Sequence, residues 1–511
     1  MTPYFMVNEE TLKDTPAEVL DYLRFLRRRI QQLEATEPQQ RIEELEATNR
    51  QLRIEIEDLK GLLQQQQQQL LHVQQQLATA CARLGTNSTN SSLPPSSDRF
   101  HCKRRPPPTA DQPRKKSGGQ PGHSQQLRLL VPPEQVRLHI PCKPTTCRRC
   151  GQPLTGNDPQ PLRHQVAELP VVVPDVLEYQ LHRLTCSCCH TETCGTLPPG
   201  IKGQFGPRLE ATLALLAGQY RMGLRPVVAL AADLWRLDIS TGMVSKLRQR
   251  TAEALMLPWA QVAMYVRTKN VNMDETHWRE AKKRAYLWAV VTRSAALFHI
   301  AKNRTAQIAK KLLGEDYAGV ATCDRLKSYW WIKRLQWCWA HLRRDFQAMI
   351  DRGHPGKAIG QRLLRQSNTL FHLWHRLGEG QLSRRQFQKA MQPVREAVRR
   401  VLTAGQKCRC GPTAGTCKEL LGHEEWLWTF VTHEGVSPTN NEAEQAERHG
   451  VLLRKTSGGT DSPQGSRFVE RVLTVVHTCR RQGRSVLEYL SDCIQAWRHD
   501  RMPPSLIPNT S

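Results

Sequence analysis

Apolar positions recur every three to four residues over 15–36, TPAEVLDYLRFLRRRIQQLEAT, which predicts an amphipathic helix. From residue 42 the spacing becomes a heptad. Ile42, Asn49, Ile56, Leu63, Leu70, Leu77 and Leu84 share one seam position, and Leu45, Leu52, Leu59, Gln66, Val73 and Ala80 share the other. A seam sustained this long predicts a coiled coil, and Asn49 within it favours two strands in fixed register, so a homodimer is expected. The glutamine run 64–69 stays in register and reads as helix surface. Together these stretches make an N-terminal segment, 1–84.

The periodicity stops at Gly85. GTNSTNSSLPPSSDRF is too poor in apolar residues to fold alone, and 85–130 reads as a linker. Its second half carries two basic clusters, Lys103-Arg104-Arg105 and Arg114-Lys115-Lys116. Further on, 201–262 has helical periodicity around the turn LDISTGM. There Ser240 or Thr241 can cap a helix bearing Lys246, Arg248 and Arg250. That fits a helix-turn-helix, and it fits plain helical packing as well.

From about 265 the pattern turns to strands: 268–274, 284–293 and 295–302, a helix at 304–314, strand 318–324, a helical turn, strand 334–339 and helix 340–350. Three consecutive strands suggest a meander, and the strand–helix–strand units after them require parallel pairing with right-handed crossovers. The stretch 351–430 is again helical and reads as an insertion that separates this core, 263–350, from its continuation at 431–500. Its Cys408, Cys410 and Cys417 are irregularly spaced and read as free thiols.

Charge changes the picture. The 511 residues carry a formal net charge of +26, which favours a polyanionic partner, and nucleic acid is the commonest one. The basic clusters of the linker then read as an arm that tracks phosphate without reading sequence. No apolar run is long enough to span a bilayer and the N-terminus lacks a signal pattern, so an intracellular, cytoplasmic protein without a membrane partner is expected. Sixteen cysteines in a long intracellular chain favour metal ligation and free thiols. Cys147-x₂-Cys150 and Cys186-x₂-Cys189 have the spacing with which two tight turns complete a tetrahedral Zn²⁺ site, so 131–200 reads as a zinc-ribbon-like module with an inserted hairpin over 164–184. Cys188 and Cys194 are alternative ligands, and Cys142 is spare.

Acids end the strand runs. Asp274, beside Glu275, closes the first, and Asp324 closes the fourth; adjacent strands would bring the two together. Converged carboxylates are a means of holding Mg²⁺ against phosphate. Downstream, PTNNEAEQAER offers Glu442, Glu444 and Glu447; Thr439 and Glu442 fit a capping box, and periodicity does not choose between Glu444 and Glu447. In WCWAHLRRDF, His341 and Asp345 share a helical face, with His341 near the metal site or simply packed. Trp330, Trp331, Trp337 and Trp339 read mainly as core.

The order βββαβαβ, with acids on the first and fourth strands, is that of ribonuclease-H-like nucleotidyltransferases. The stretches VNMDETHW, CDRLKSYWWIKRLQWCWAHLRRDFQAM, EGVSPTNNEAEQAER and GSRFVERVLTVVHTCRRQGRSVLEYL resemble an IS66-family transposase. The linker, the GGQPGH motif and the cysteine knuckles follow the same order. The resemblance implies a DDE triad of Asp274, Asp324 and Glu444 that holds Mg²⁺ (or Mn²⁺). It implies cleavage of double-stranded DNA at element ends, with transfer of the 3′-hydroxyl into target DNA. It also implies small accessory proteins of the same element and a bacterial, nucleoid-associated setting. Gln445, His449 and Leu326 depart from the residues usual in that family. Basic residues after Glu444 (Arg448, Arg454, Lys455, Arg467, Arg471, Arg480, Arg481 and Arg484) suit a phosphate track. The expected fold class is multidomain α+β: a coiled coil, a zinc-ribbon-like module, a helix-turn-helix-like segment and a ribonuclease-H-like core with a helical insertion. Two other readings stay open: a dimeric zinc-containing DNA-binding protein with a decayed core, and a nuclease of the same fold that only hydrolyses.

Overall fold

The computed structural model describes residues 16–33, 38–84 and 129–508. The basic clusters Lys103-Arg104-Arg105 and Arg114-Lys115-Lys116 lie outside the described residues. The architecture is multidomain α+β, and the chain divides into two compact units, Met1–Asn90 and Ser91–Ser511.

The first unit contains α1 (Ala17–Leu33) and α2 (Pro38–Leu84). The heptad stretch is one uninterrupted helix, α2. Its seam residues Ile42, Leu63, Leu70 and Val73 are all more than half exposed, an apolar stripe left open among the described residues.

The described part of the second unit, from residue 129, begins with exposed chain that carries little regular secondary structure. The hairpin expected over 164–184 does not form: β1 (Arg183–Thr185) pairs only with β2 (Glu192–Cys194), and the residues before it make no strand. A β-prone run such as VVVPDVLEYQL needs a partner strand or a core to bury against, and here it has neither.

Four helices follow: α3 (Pro207–Gly218), α4 (Leu224–Trp235), α5 (Thr241–Ala254) and α6 (Met256–Val266). Ser240 is the cap that forms, its hydroxyl accepting the Met243 amide at 3.1 Å. The α4–α5 pair is not a free-standing recognition unit. Besides α4, helix α5 packs against α3 and against α14 (Pro463–Arg481) and α15 (Val486–Arg498). Arg248 faces inward, its guanidinium 4.5 Å over the Phe468 ring, and Arg250 donates to the Lys202 carbonyl at 3.1 Å. Lys246 is exposed. The helical periodicity was legible, but which face would be covered depended on helices more than 200 residues away.

The sheet has the order β5-β4-β3-β6-β7. Strands β3 (Val271–Glu280), β4 (Lys283–Val291) and β5 (Ala296–Ala301) form the antiparallel meander; β6 (Ala321–Cys323) and β7 (Leu335–Trp337) add in parallel after α7 (Ala306–Leu313). The first strand differs from expectation. It begins at Val271 and runs six residues beyond Asp274, because Ala281 and Lys282 both take left-handed φ, 49° and 63°, and close a tight hairpin with β4. No Asn-Gly or Asp-Gly marks that turn in the sequence. The run RAYLWAVV is continuous rather than alternating because β4, between two neighbours, is buried on both faces.

Both edges of the sheet are closed by side chains from helices. On β5 the amides of Ala296 and Phe298 donate to Thr478 Oγ1 (3.1 Å) and Thr474 Oγ1 (2.9 Å), and that of Ile300 donates to Glu470. Those three lie four apart on α14, so one helical row meets alternate amides of the edge strand. On β7, Thr429 of α12 (Glu425–Thr432) donates to the Leu335 carbonyl at 2.5 Å, and Gln336 accepts the Phe430 amide at 2.8 Å.

Helices α8 (Trp339–Asp351), α9 (Gly356–Gly378), α10 (Arg384–Gly405), α11 (Gly411–Gly422) and α12 build a second hydrophobic core around Phe346, Leu363, Leu370, Phe387, Leu402, Leu420 and Phe430. Of these, α9 to α12 fill the stretch 351–430, and the chain returns to the sheet at α13 (Asn441–Ser457). Among the described residues no helix is long and apolar enough to cross a membrane.

Candidate active site

Parallel pairing sets Val271 against Ala321 and Asn272 against Thr322. Continued two residues, that register places Asp274 opposite Asp324, where the two backbones diverge beyond the carboxyl end of β6. The long crossover between β3 and β6 is therefore what brings the two acids level.

The third acid arrives on a helix. The loop before α13 is anchored at three points: Trp339 N donates to the Pro438 carbonyl (2.9 Å), Asn440 N to Cys338 Sγ (3.4 Å) and Asn440 Nδ2 to the Met273 carbonyl (3.4 Å). These contacts hold the first turn of α13, with Glu444, against β3 and the start of α8. The capping box expected from Thr439 and Glu442 does not form. Asn440 is the N-cap, without a side-chain cap, and Glu442 instead pairs with Arg481 at 3.5 Å. Position in the fold outweighed the local motif, because Asn440 is committed to β3.

Electrostatics show how tightly the carboxyls gather. Burial, then Glu275, Asp324 and Glu444, push Asp274 well above the usual carboxylate range. Burial raises Asp324 and Glu444 too; Arg344 pulls Glu444 back, while Asp324 opposes its ionisation. Two further acids belong to the cluster. Glu275 is raised to about 7 by burial and Asp324, although it accepts the Tyr329 hydroxyl at 2.5 Å and faces Arg304 at 3.5 Å. Glu447, almost fully buried, is pushed far up by burial and then by Asp274, Glu275, Glu444 and Asp324. One oxygen each of Glu444 and Glu447 is enclosed without a hydrogen-bond partner. Helical spacing left Glu444 and Glu447 open; the fold puts both at the cluster, Glu444 at the half-buried surface and Glu447 beneath it.

Around the acids stand groups of the opposite kind. Arg304 and Arg344 lie at the rim. His341 Nδ1 is 3.4 Å from Glu444 Oε1, and burial with Arg344 and Arg325 pushes the imidazole down to about 3, so it is neutral at ordinary pH. Asp345 serves structure: with Glu419 of α11 it clamps Arg325, at 3.0 Å and 2.6 Å, directly after Asp324. Of the tryptophans read as core, Trp337 and Trp339 are fully buried, while Trp330 and Trp331 are half-buried and pack against the core. Glu275 and Glu447 were raised in the sequence only as a neighbour of Asp274 and an alternative to Glu444, and Arg304 and Arg344 were not singled out. A neighbour of Asp274 and a helical repeat from Glu444 signalled the acids, but nothing local marked the arginines.

The phosphate track is only partly open. Arg448 and Lys455 are exposed. Arg454 donates to the His277 carbonyl, Arg467 pairs with Glu470 (2.9 Å), Arg471 donates to the Ala252 carbonyl (2.7 Å) and Arg484 to that of Ser505 (2.7 Å). Arg454 ties α13 to β3 and Arg471 ties α14 to α5, Arg467 also donates to the Ile300 carbonyl of β5 at 3.1 Å, and Arg484 holds the C-terminal tail to the loop after α14.

The two knuckles are built alike. Cys147 N donates to Gln152 O and Gly151 N to Cys147 O (2.8 and 2.9 Å); Cys186 N donates to Thr191 O and His190 N to Cys186 O (both 3.0 Å). Gly151 and His190 both take left-handed φ, 73° and 55°. Within each pair the sulfurs interact, and hydrogen bonds from Thr191 and Cys186 lower Cys189 to about 7. The pairs are not drawn together: among the described residues the three-ligand grouping within 4.8 Å is Cys338, His341 and Glu444.

A donor set of repelling carboxylates, with enclosed unpartnered oxygens and few cations to offset it, fits hard divalent ions. The model of the Transposase IS66 family matches residues 202–467, a little over half of the chain, and a family of unknown function matches 33–128. An uncharacterized protein, y4hP, of Sinorhizobium fredii (strain NBRC 101917 / NGR234) is 22% identical over 398 residues, covering 69% of this chain and 70% of that protein. With the matched region spanning the sheet and the acids that converge on it, the chain belongs to the IS66 family of transposases.

Proposed function

We propose that this protein is a DDE transposase whose ribonuclease-H-like core cuts and joins DNA with Asp274, Asp324 and Glu444. The observation that carries the reading is the mutual electrostatic coupling of these three acids, from two parallel-paired strands and one anchored helix. Bound there, two divalent cations (Mg²⁺ or Mn²⁺) would supply an activated attacking oxygen and charge stabilisation for the leaving one.

The chain's own residues do the rest. Asp274 and Asp324 face each other across the parallel register, and Glu444 closes the set from α13. Arg304 and Arg344, at the rim, are placed to hold a scissile phosphate against the acids. His341, neutral and beside Glu444, can hydrogen-bond a phosphate oxygen without adding charge. Glu447 and Glu275 lie behind these three acids. Water as nucleophile yields a nick with a free 3′-hydroxyl, and that hydroxyl then attacks target phosphate in line. No protein nucleophile is required.

Two accessory features support a DNA-handling assembly. The apolar stripe on α2 suits a second copy of the chain, giving a coiled-coil dimer. The two knuckle turns, once brought together, would offer Cys147, Cys150, Cys186 and Cys189 as four thiolates to a structural Zn²⁺.

The test is strand cleavage and joining by the full chain, with Mg²⁺, on double-stranded DNA bearing the element's terminal repeats. The expected result is nicked and joined product from wild type and a loss of at least ~10³-fold in Asp274→Asn, Asp324→Asn and Glu444→Gln, with DNA binding retained. If wild type binds DNA but neither cuts nor joins, the decayed-core reading replaces this one; cutting without joining leaves a nuclease.

A further inference from the structure

We propose that Cys338, His341 and Glu444 form a second metal site, selective for Zn²⁺ or another thiophilic divalent cation, which when filled withdraws Glu444 from the catalytic acids. The consequence at Glu444 rests on the transposase reading; the site itself rests on its own geometry.

One ligand atom from each residue lies within 4.8 Å of the other two. Cys338 is the N-cap of α8 and His341 sits on its first turn, so the Cys-x₂-His spacing turns sulfur and imidazole to the same side. Glu444 comes from α13, whose approach is fixed by the Asn440 amide donating to Cys338 Sγ at 3.4 Å. His341 Nδ1 and Glu444 Oε1 face each other at 3.4 Å, yet both are enclosed without a hydrogen-bond partner. A shared cation would satisfy both. The opposing charge is Arg344, 3.8 Å from the same oxygen, with a side chain exposed enough to turn toward solvent.

Donor chemistry sets the selectivity. One sulfur, one imidazole nitrogen and one carboxylate oxygen suit Zn²⁺ or Co²⁺, and affinity at such a set rises steeply from the hard ions to these. Mg²⁺ requires oxygen ligands in octahedral geometry and has little to gain from Cys338 or His341. Three protein ligands leave a fourth position for water or a phosphate oxygen. The two sites therefore compete for a single residue, Glu444, and a thiophilic ion acts as an inhibitor that hard ions do not readily displace.

Cobalt is the probe. The reduced, metal-stripped full chain is titrated with Co²⁺, and bound equivalents are counted from the near-ultraviolet thiolate-to-metal band and by equilibrium dialysis. Excess Mg²⁺ keeps the catalytic acids filled throughout, and the knuckle cysteines contribute equally to every variant. Wild type is expected to bind one equivalent more than Cys338→Ser and one more than His341→Gln, and Zn²⁺ should displace it. Equal stoichiometry in wild type and either folded variant overturns the proposal. Where Cys338→Ser does not fold, His341→Gln, at a half-buried position, decides alone. Failure of Mg²⁺-dependent cleavage would sink the transposase reading without changing these equivalents.

Discussion

Glu275 is where the acid cluster can be weighed. Its side chain is 3% exposed, and burial and Asp324 raise its carboxyl from 4.5 to about 7 despite the Tyr329 hydroxyl and Arg304. A raised acid holds its proton more tightly in the folded chain than in the unfolded one. The associated stability is fully present below 4.5 and is lost as the pH rises through about 7. Full ionisation in the metal-free fold would cost roughly 3 kcal/mol, and relaxation around the site trims this to ~1–3 kcal/mol. Glu275→Gln removes the charge and keeps an acceptor for Tyr329. In chelator, urea denaturation should find the variant ~1–3 kcal/mol more stable than wild type at about pH 8.5 and equal to it near pH 4. Added Mg²⁺ should shrink the difference at the higher pH, because cations at Asp274 and Asp324 relieve the repulsion. A gain that does not depend on pH, or a variant less stable than wild type at pH 8.5, would refute the view that these acids repel one another in the empty fold.

Other perturbations test the frame that holds the acids. Arg498, 5% exposed, pairs with the fully buried Glu210 at 2.7 Å, so Arg498→Met strands a buried carboxylate and should cost ~3–5 kcal/mol by denaturant titration. Arg325→Met frees Asp345 and Glu419 at a partly exposed site; the loss should be a smaller ~1–3 kcal/mol, and strand cleavage should fall as the turn after Asp324 loosens. Gly459 has φ +116°, and a Cβ there would strike the Arg279 carbonyl; Gly459→Ala should lower stability by at least ~2 kcal/mol, read from the melting temperature.

What the sequence determined by itself was whatever short-range periodicity encodes. The helix of α2, the order of three strands, helix, strand and strand, and the tight turns at Cys-x₂-Cys all follow from neighbours within a few residues and are found, whereas the hairpin expected between the two turns is not. Asp324 stood out as an acid at the end of a short strand run, which is a local pattern; Asp274 stood out as the end of a run that in the fold continues to Glu280. Tertiary structure decided the rest. Glu444 and Glu447 are alike to helical periodicity, and only the anchoring of Asn440 on Met273 and Cys338 sets one at the cleft and the other beneath it. Arg248 reads as a surface cation until Phe468, from a helix 220 positions later, takes it up. Arg304 and Arg344 carry no signal at all, because their role is set by the carboxylates they face across the sheet. Burial and charge repulsion are long-range sums over the whole fold, so the chain order could name the acids but not the field in which they work.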